Sequence, residues 1–265
     1  MKTWRPRMPG FLRAGTIVHR PAAGGKTLAP GGAIVEAMDP LAGSSWSRPQ
    51  TVAGFAQSAA NRVLLGFAGQ ELRRHAGGLA LDLGCGAGRN AVPLAELGWN
   101  VVGVDLSWPM LTAAAPRAQE LQEGGRLHLI LAPMDHLPVR DGSVDLVIAH
   151  GIWNLARSSD EFRRAVREAA RVARPGAGLF VFTFSRTTLP PAVRPVAGEP
   201  FVFTEFSGEP QCFLTETQLF EEMAAAGFAP DPAVPLTEYN RPSPGALPTG
   251  RVPVIWEAAF RSRAA

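Results

Sequence analysis

Residues 81–90 read LDLGCGAGRN, an apolar stretch that runs straight into three glycines at a spacing of two. Gly84, Gly86 and Gly88 let the chain bend tightly and let a ligand lie against bare backbone, and the helix start that follows offers N–H donors with no partner inside the helix. A glycine triplet alone is also how a plain strand-to-helix turn is made. The second element points to a ligand: VVGVD, residues 101–105, ends in Asp105 about 20 residues after the bend, where a carboxylate can accept both hydroxyls of a ribose. Each charge-assisted bond of that kind contributes roughly 1.5–3 kcal/mol. Dinucleotide sites read GxGxxG, whereas here Arg89 stands where the third glycine would be. A dehydrogenase would have to tolerate a bulky cation there, although Arg89 could equally pair with a phosphate.

Outward from the bend, apolar strands alternate with amphipathic helices, the order that builds a parallel sheet covered on both faces. Strands are predicted at 79–83, 100–105, 127–131, 144–149 and 179–184, and helices at 89–97, 109–122 and 160–172. Pro175-Gly176 supplies a break before the fifth strand. A helix over 215–226 opens on the capping-box spacing Thr215 to Gln218 and stops at Gly227, and 233–239 and 252–260 read as closing strands. Residues 51–75 carry apolar positions at helical spacing up to a Gly77-Gly78 stop, so 51–77 is a helical lead-in to a domain spanning 51–265. Residues 185–214 form an insertion after the fifth strand, a place where lid-like segments cover ligands. The class is α/β, Rossmann-like and doubly wound.

With 265 residues, 46% hydrophobic and 18% charged, the chain is neither fibrous nor disordered. It has no run near the roughly 18 apolar residues of a membrane span and no secretory signal, so a cytoplasmic protein is expected. Cys85 and Cys212 cannot build a disulfide framework and show no metal-ligand spacing, so no metal is expected. The net charge is +3, but residues 1–50 alone hold +5 and the rest −2. The body therefore lacks the basic footprint of a protein that neutralises many phosphates, and nucleic acid is disfavoured as a partner. Residues 1–50, with six prolines and seven glycines, are expected to form a flexible tail. Their Arg-rich, acid-free stretch before Glu36 has transit-peptide composition, while recognisable pattern begins just after Met38, a candidate translation start.

At this point the chain resembles the class I S-adenosylmethionine-dependent methyltransferases over about residues 79–260. The family's acid two residues before GxGxG matches Asp82, Gly84, Gly86 and Gly88, and its ribose acid matches Asp105. MDHLPVRDGSVDLVI (134–148) resembles the adenine segment, and ARVARPGAGLFVFTF (170–184) the helix, Pro-Gly turn and fifth strand. The resemblance implies seven strands with the last antiparallel, and S-adenosylmethionine as cofactor. It implies that Asp82 contacts the cofactor's ammonium, that Asp135 bonds the adenine amino group between Met134 and His136, and that Leu106 packs on the adenine face. Cys85 lies inside the loop and packs there rather than reacts.

His150 follows the fourth strand in HGIWN, at the sheet edge where doubly wound proteins place ligands. It is a candidate catalytic base, its ordinary pKa near 6.5 suiting proton removal, or it lines the pocket. Trp153 and Asn154 shape the acceptor pocket, or Trp153 is core. HGIWN is not the NPPY or DPPY of amino-group methylation in adenine or glutamine, and neither cysteine has the Pro-Cys setting of cytosine methylation. Methyl transfer to a small molecule is therefore expected. An RNA or protein methyltransferase, a nucleotide-dependent oxidoreductase and a catalytically silent cofactor-binding protein are the alternatives.

Overall fold

In the computed structural model, which describes residues 18–19, 39–121, 126–241 and 252–263, one mixed sheet carries helices on both faces. Its strands in chain order are β1 (Val18–His19), β2 (Leu79–Leu83), β3 (Asn100–Asp105), β4 (Leu127–Leu131), β5 (Val144–His150) and β6 (Ala173–Phe184). After a separate hairpin of β7 (Val202–Phe203) and β8 (Gln211–Cys212) come β9 (Phe228–Pro230), β10 (Thr237–Tyr239) and β11 (Ile255–Ser262). The helices are α1 (Pro49–Gln57), α2 (Arg62–Arg74), α3 (Ala91–Leu97), α4 (Trp108–Glu120), α5 (Ser159–Val172) and α6 (Glu216–Ala225).

The strand order is β1-β4-β3-β2-β5-β6-β11-β10, with β9 also paired to β11. Strands β4, β3, β2, β5 and β6 run parallel, and β11 enters antiparallel between β6 and β10. That is the seven-stranded sheet with its last strand antiparallel that the resemblance implies, enlarged by the short β1 and β9. All five residues of β2 are buried, as a central strand covered on both sides requires. One face is covered by α5, whose Phe162, Ala165, Val166, Ala169 and Val172 recur at helical spacing, together with Leu219 and Met223 of α6. On the other, α2, α3 and α4 bury Leu64, Phe67, Leu94, Leu111 and Ala114.

Four expectations are corrected. The lead-in is two helices, because the first ends at Ser58 and Asn61 caps the second through its side chain on the Leu64 N–H at 3.0 Å. Residues 39–50, expected within the tail, form a turn, a 3-10 turn at Ser45–Ser47 and the start of α1. The Pro-Gly pair does not precede the fifth strand but lies inside β6, where Gly176 takes φ +80° and the β5–β6 register shifts between Val144 and Leu146. The first closing strand is short, at 237–239, with β9 before it. Residues 1–17 and 20–38, including the candidate start at Met38, lie outside the described residues.

Arg261 on β11 ties the lead-in to the sheet. Its guanidinium donates to both Glu71 oxygens on α2, at 2.7 and 2.9 Å, and to Asp231. Glu71 is 1% exposed and keeps Arg74 on Oε1 at 2.9 Å, so removing the Arg261 cation would leave its buried Oε2 without a donor. Arg261→Met is expected to destabilise the fold by about 3–5 kcal/mol, read as a lower midpoint in urea. An unchanged midpoint would show that the network carries no net stability.

Candidate functional site

The glycine bend closes β2. Gly84, Gly86 and Gly88 take φ of +64°, +53° and +82°, a region open to glycine at no steric cost. A Cβ on Gly84 would also lie 2.7–2.9 Å from Ile152, so the bend needs glycine there for space as well as conformation. Across from it, Asp105 ends β3 with its carboxylate turned toward the bend. Oδ2 accepts the Gly86 N–H and Oδ1 the Ser107 N–H, both at 2.8 Å. Each oxygen keeps a second lone pair. Burial raises the Asp105 pKa, and the bonds from Ser107 and Gly86 oppose that.

The segment before the domain closes over this corner. Ser107 caps α4 and donates its hydroxyl to the Trp46 carbonyl at 3.2 Å, and the Trp108 N–H donates to Asp39 at 3.3 Å. Phe55 of α1 lies 3.8 Å from where a Gly86 Cβ would stand.

Asp82, third in β2, is 2% exposed, and its Oδ2 has no hydrogen-bond partner among the described residues. Burial raises its pKa to about 7, against the opposing charge of Arg89. A buried carboxylate with an orphaned oxygen is unstable unless a donor, ideally a cation, satisfies it. This is an observation the ammonium of an amino-acid moiety fits.

His150 closes β5 with its ring stacked on Phe182 at 4.1 Å and 7°. Its Nδ1 lies 2.7 Å from Arg89 Nη2, and its Nε2 lies 3.2 Å from Asn61 Nδ2. Burial, then the Arg89 charge, lower its pKa to about 3. The ring is neutral at physiological pH, and a neutral imidazole accepts through only one nitrogen. A base poised near 6.5, the premise of the catalytic reading, does not describe this histidine as placed. Asn61 also donates to Glu257 Oε2 at 2.6 Å, and its backbone N–H reaches Asn90 Oδ1 at 3.2 Å.

The remaining residues fall in two groups. Leu106 and Met134 are half-buried at the sheet edge and His136 is exposed, while Asp135 pairs with Arg164 of α5 at 3.0 Å. Cys85 is buried under the bend, its thiol pKa pushed up by burial. Trp153 and Asn154 do not line an open pocket. Trp153 is fully buried against Phe162, and Asn154 is 2% exposed. Sequence reasoning missed Asn61, Glu257, Phe182 and Ile152. Two of them carried a signal: Asn61 precedes an apolar helical run as a cap does, and Glu257 is a lone acid inside the apolar strand VIWEAAF.

A doubly wound sheet with a bare-backbone bend beside a fixed carboxylate defines a Rossmann-like protein of the nucleoside-binding kind. Residues 81–182 match the family Methyltransferase domain. Ubiquinone/menaquinone biosynthesis C-methyltransferase of Syntrophotalea carbinolica is 37% identical over 124 residues, 46% of this chain and 50% of that protein. Another relative, 27-O-demethylrifamycin SV methyltransferase of Amycolatopsis mediterranei, is 30% identical over 175 residues, 63% of this chain and 60% of that protein. The chain spans about half the length of the first curated relatives it matches. Among solved structures, 1,6-didemethyltoxoflavin-N1-methyltransferase of Burkholderia thailandensis, with 1,6-didemethyltoxoflavin and S-adenosylhomocysteine bound, superposes with a TM-score of 0.60 at 20% identity. That match covers 97% of this chain and 100% of the other, and it shows the shared fold. Residues 81–182 thus match a methyltransferase domain, on a fold shared with a methyltransferase that holds S-adenosylhomocysteine. Among the described residues no helix is long and apolar enough to cross a membrane.

Proposed function

We propose that the protein transfers the methyl group of S-adenosylmethionine to a small-molecule nucleophile. The observation that carries this reading is the Asp105 carboxylate, held on the bend by Gly86 and Ser107 with one lone pair per oxygen left for the two ribose hydroxyls. Asp82 takes the ammonium, Asp135 the adenine amino group between Met134 and His136, and Leu106 the adenine face. The backbone of Gly84, Cys85, Gly86 and Gly88 lies along the nucleoside. When bound, the cofactor supplies an electrophilic methyl on sulfur. What the chain adds is position, and holding two reactants in line can supply about 7–11 kcal/mol of the barrier.

His150 faces the acceptor side as a pocket wall backed by Phe182, while Trp153 is core against Phe162 of α5 and Asn154 is buried beside it in the chain. Phe184, half-buried at the end of β6 and in edge contact with Phe206 at 5.5 Å, leads into the insertion 185–214, which covers the acceptor. These aromatic faces favour a flat, partly apolar acceptor. The relatives' names cite a C-, an O- and an N-methyltransferase, so the acceptor atom varies on this scaffold while a small molecule recurs. The −2 charge of residues 51–265 and β5's HGIWN ending also favour a small molecule over nucleic acid.

Calorimetry with S-adenosylhomocysteine is the direct test. Micromolar binding is expected, and saturation at about 100 times Kd would raise stability by about 2.7 kcal/mol. An absence of binding to the folded protein would end the cofactor reading. Labelled methyl transfer into small-molecule extracts, with RNA in parallel, tests the acceptor; label in RNA alone would overturn the small-molecule assignment.

A further inference from the structure

The neighbours of His150 decide which of its nitrogens carries the hydrogen. Phe182 stacks on one face of the ring at 4.1 Å. Arg89 Nη2 lies 2.7 Å from Nδ1 and 3.3 Å from Nε2, and a point so nearly equidistant from both nitrogens stands over the other face, above the plane that holds their lone pairs. Asn61 is the neighbour whose orientation its own bonds settle. Its Oδ1 accepts the Leu64 N–H at 3.0 Å, and a backbone N–H can only donate, so the amide oxygen is on that side and the NH2 on the other. One NH2 hydrogen goes to Glu257 Oε2 at 2.6 Å, and Glu257 is 2% exposed, so water does not compete for that bond. The other faces His150 Nε2 at 3.2 Å, which must therefore be bare. A protonated ring would aim its Nε2–H at those amide hydrogens and set a cation against the guanidinium. A neutral imidazole keeps one hydrogen, and Nδ1 is where it is left.

We propose that Asn61, anchored on Glu257, is a positioning residue that fixes His150 as the Nδ1–H tautomer, so that the acceptor wall offers a hydrogen-bond donor and selects acceptors bearing an anionic oxygen, as an enolate or a phenolate does. The inference deepens the methyl-transfer reading above and rests on it for the pocket that His150 faces. The main chain of His150 itself favours a proton on the ring through a hydrogen bond. Nδ1 is the nitrogen nearer the main chain, and a backbone carbonyl is a neutral partner. Charge-assisted bonds are roughly twice as strong, so an oxyanion takes this hydrogen where a neutral hydroxyl or amine would not. The Arg89 charge over the ring face attracts the same kind of group. Such an acceptor arrives deprotonated. The electron pair it brings forms the new bond to the methyl, the S–C pair stays on sulfur, and no proton passes to the chain in that step.

The test uses the full chain labelled with 15N-histidine, with His150→Gln assigning the His150 signals. Bare and protonated imidazole nitrogens resonate far apart, so the tautomer is read directly and without a ligand. Wild type is expected to show Nδ1 protonated and Nε2 bare at neutral pH. Asn61→Asp keeps a helix cap of equal quality but sets an oxygen against Nε2, since any hydrogen the new carboxyl holds goes to Glu257. That variant is expected to show the opposite tautomer. A wild type with Nε2 protonated would overturn the proposal, as would an Asn61→Asp ring that keeps its hydrogen on Nδ1. 4-Nitrophenol, ionised in mildly alkaline buffer, then probes the donor with S-adenosylhomocysteine present. It is expected to shift Nδ1 in wild type and to bind Asn61→Asp at least about 10-fold more weakly, whereas 4-nitroanisole, which has no ionisable oxygen, binds both proteins within about 2-fold. If millimolar nitrophenolate leaves Nδ1 unmoved, or if both probes weaken alike, the selection for an oxyanion is wrong. The tautomer is read on the free chain, so a failure of S-adenosylhomocysteine to bind would end the cofactor reading without altering that result. The wild-type spectrum decides the tautomer even where Asn61→Asp fails to fold.

Discussion

Asp105→Ala is expected to weaken S-adenosylhomocysteine binding by at least about a hundredfold, because two charge-assisted bonds of roughly 1.5–3 kcal/mol each would be lost together. The carboxylate also braces the bend, so the variant leaves the Gly86 and Ser107 N–H groups without an acceptor. Its measured loss therefore combines missing ligand contacts with a loosened loop. Asp105→Asn separates the two, since one amide oxygen can still accept from one backbone N–H while the ribose loses its anionic acceptor. The expected ranking by calorimetry is wild type, then Asn, then Ala, in proteins shown to be folded by circular dichroism. A folded Asp105→Ala protein with undiminished affinity would mean the ribose is not held here.

Asp82→Asn is expected to stabilise the protein and disable the site at once. The sign follows from linkage. Burial raises the carboxyl from its ordinary 3.8 to about 7, so between those values the folded chain holds a proton that the unfolded chain releases. Stability contributed at this position is therefore highest below about pH 4 and declines as pH rises to 7, then stays flat. The full span corresponds to roughly 4 kcal/mol as an upper bound. Asparagine carries no charge and shows no such decline. Thermal unfolding of the two proteins should accordingly converge near pH 4 and separate above pH 7, with the variant melting higher. Cofactor affinity should behave oppositely. In wild type it rises as Asp82 ionises toward pH 7, and in the variant it is low and indifferent to pH. A variant less stable than wild type at pH 8 would contradict the buried, uncompensated carboxylate.

Much of this architecture was legible because buried parallel strands leave continuous apolar runs, and because φ values of +53° to +82° restrict the bend to glycine. Asp105 was legible for the same reason: its position at a strand end beside the bend follows from local pattern. What failed to show was long-range. Asn61 and Glu257 lie 196 residues apart, and no local periodicity records that they meet at His150. The depressed basicity of His150 was equally hidden, since it arises from burial and from an arginine 61 positions away. At 173–178 a turn signal was overridden by tertiary context. The chain there stays paired to β5 through an irregular register, and the Pro-Gly pair is absorbed within the strand.

The placement of β11 constrains how the protein can be made. Its slot between β6 and β10 is bordered by segments that leave the ribosome earlier, and its Glu257 holds the asparagine that braces His150. During synthesis the bend and Asp105 can assemble while the slot is still open, so a nascent chain could recognise a nucleoside before it possesses a finished acceptor wall. Competence for chemistry would then arrive as a late, all-or-none event, when the strand slides in.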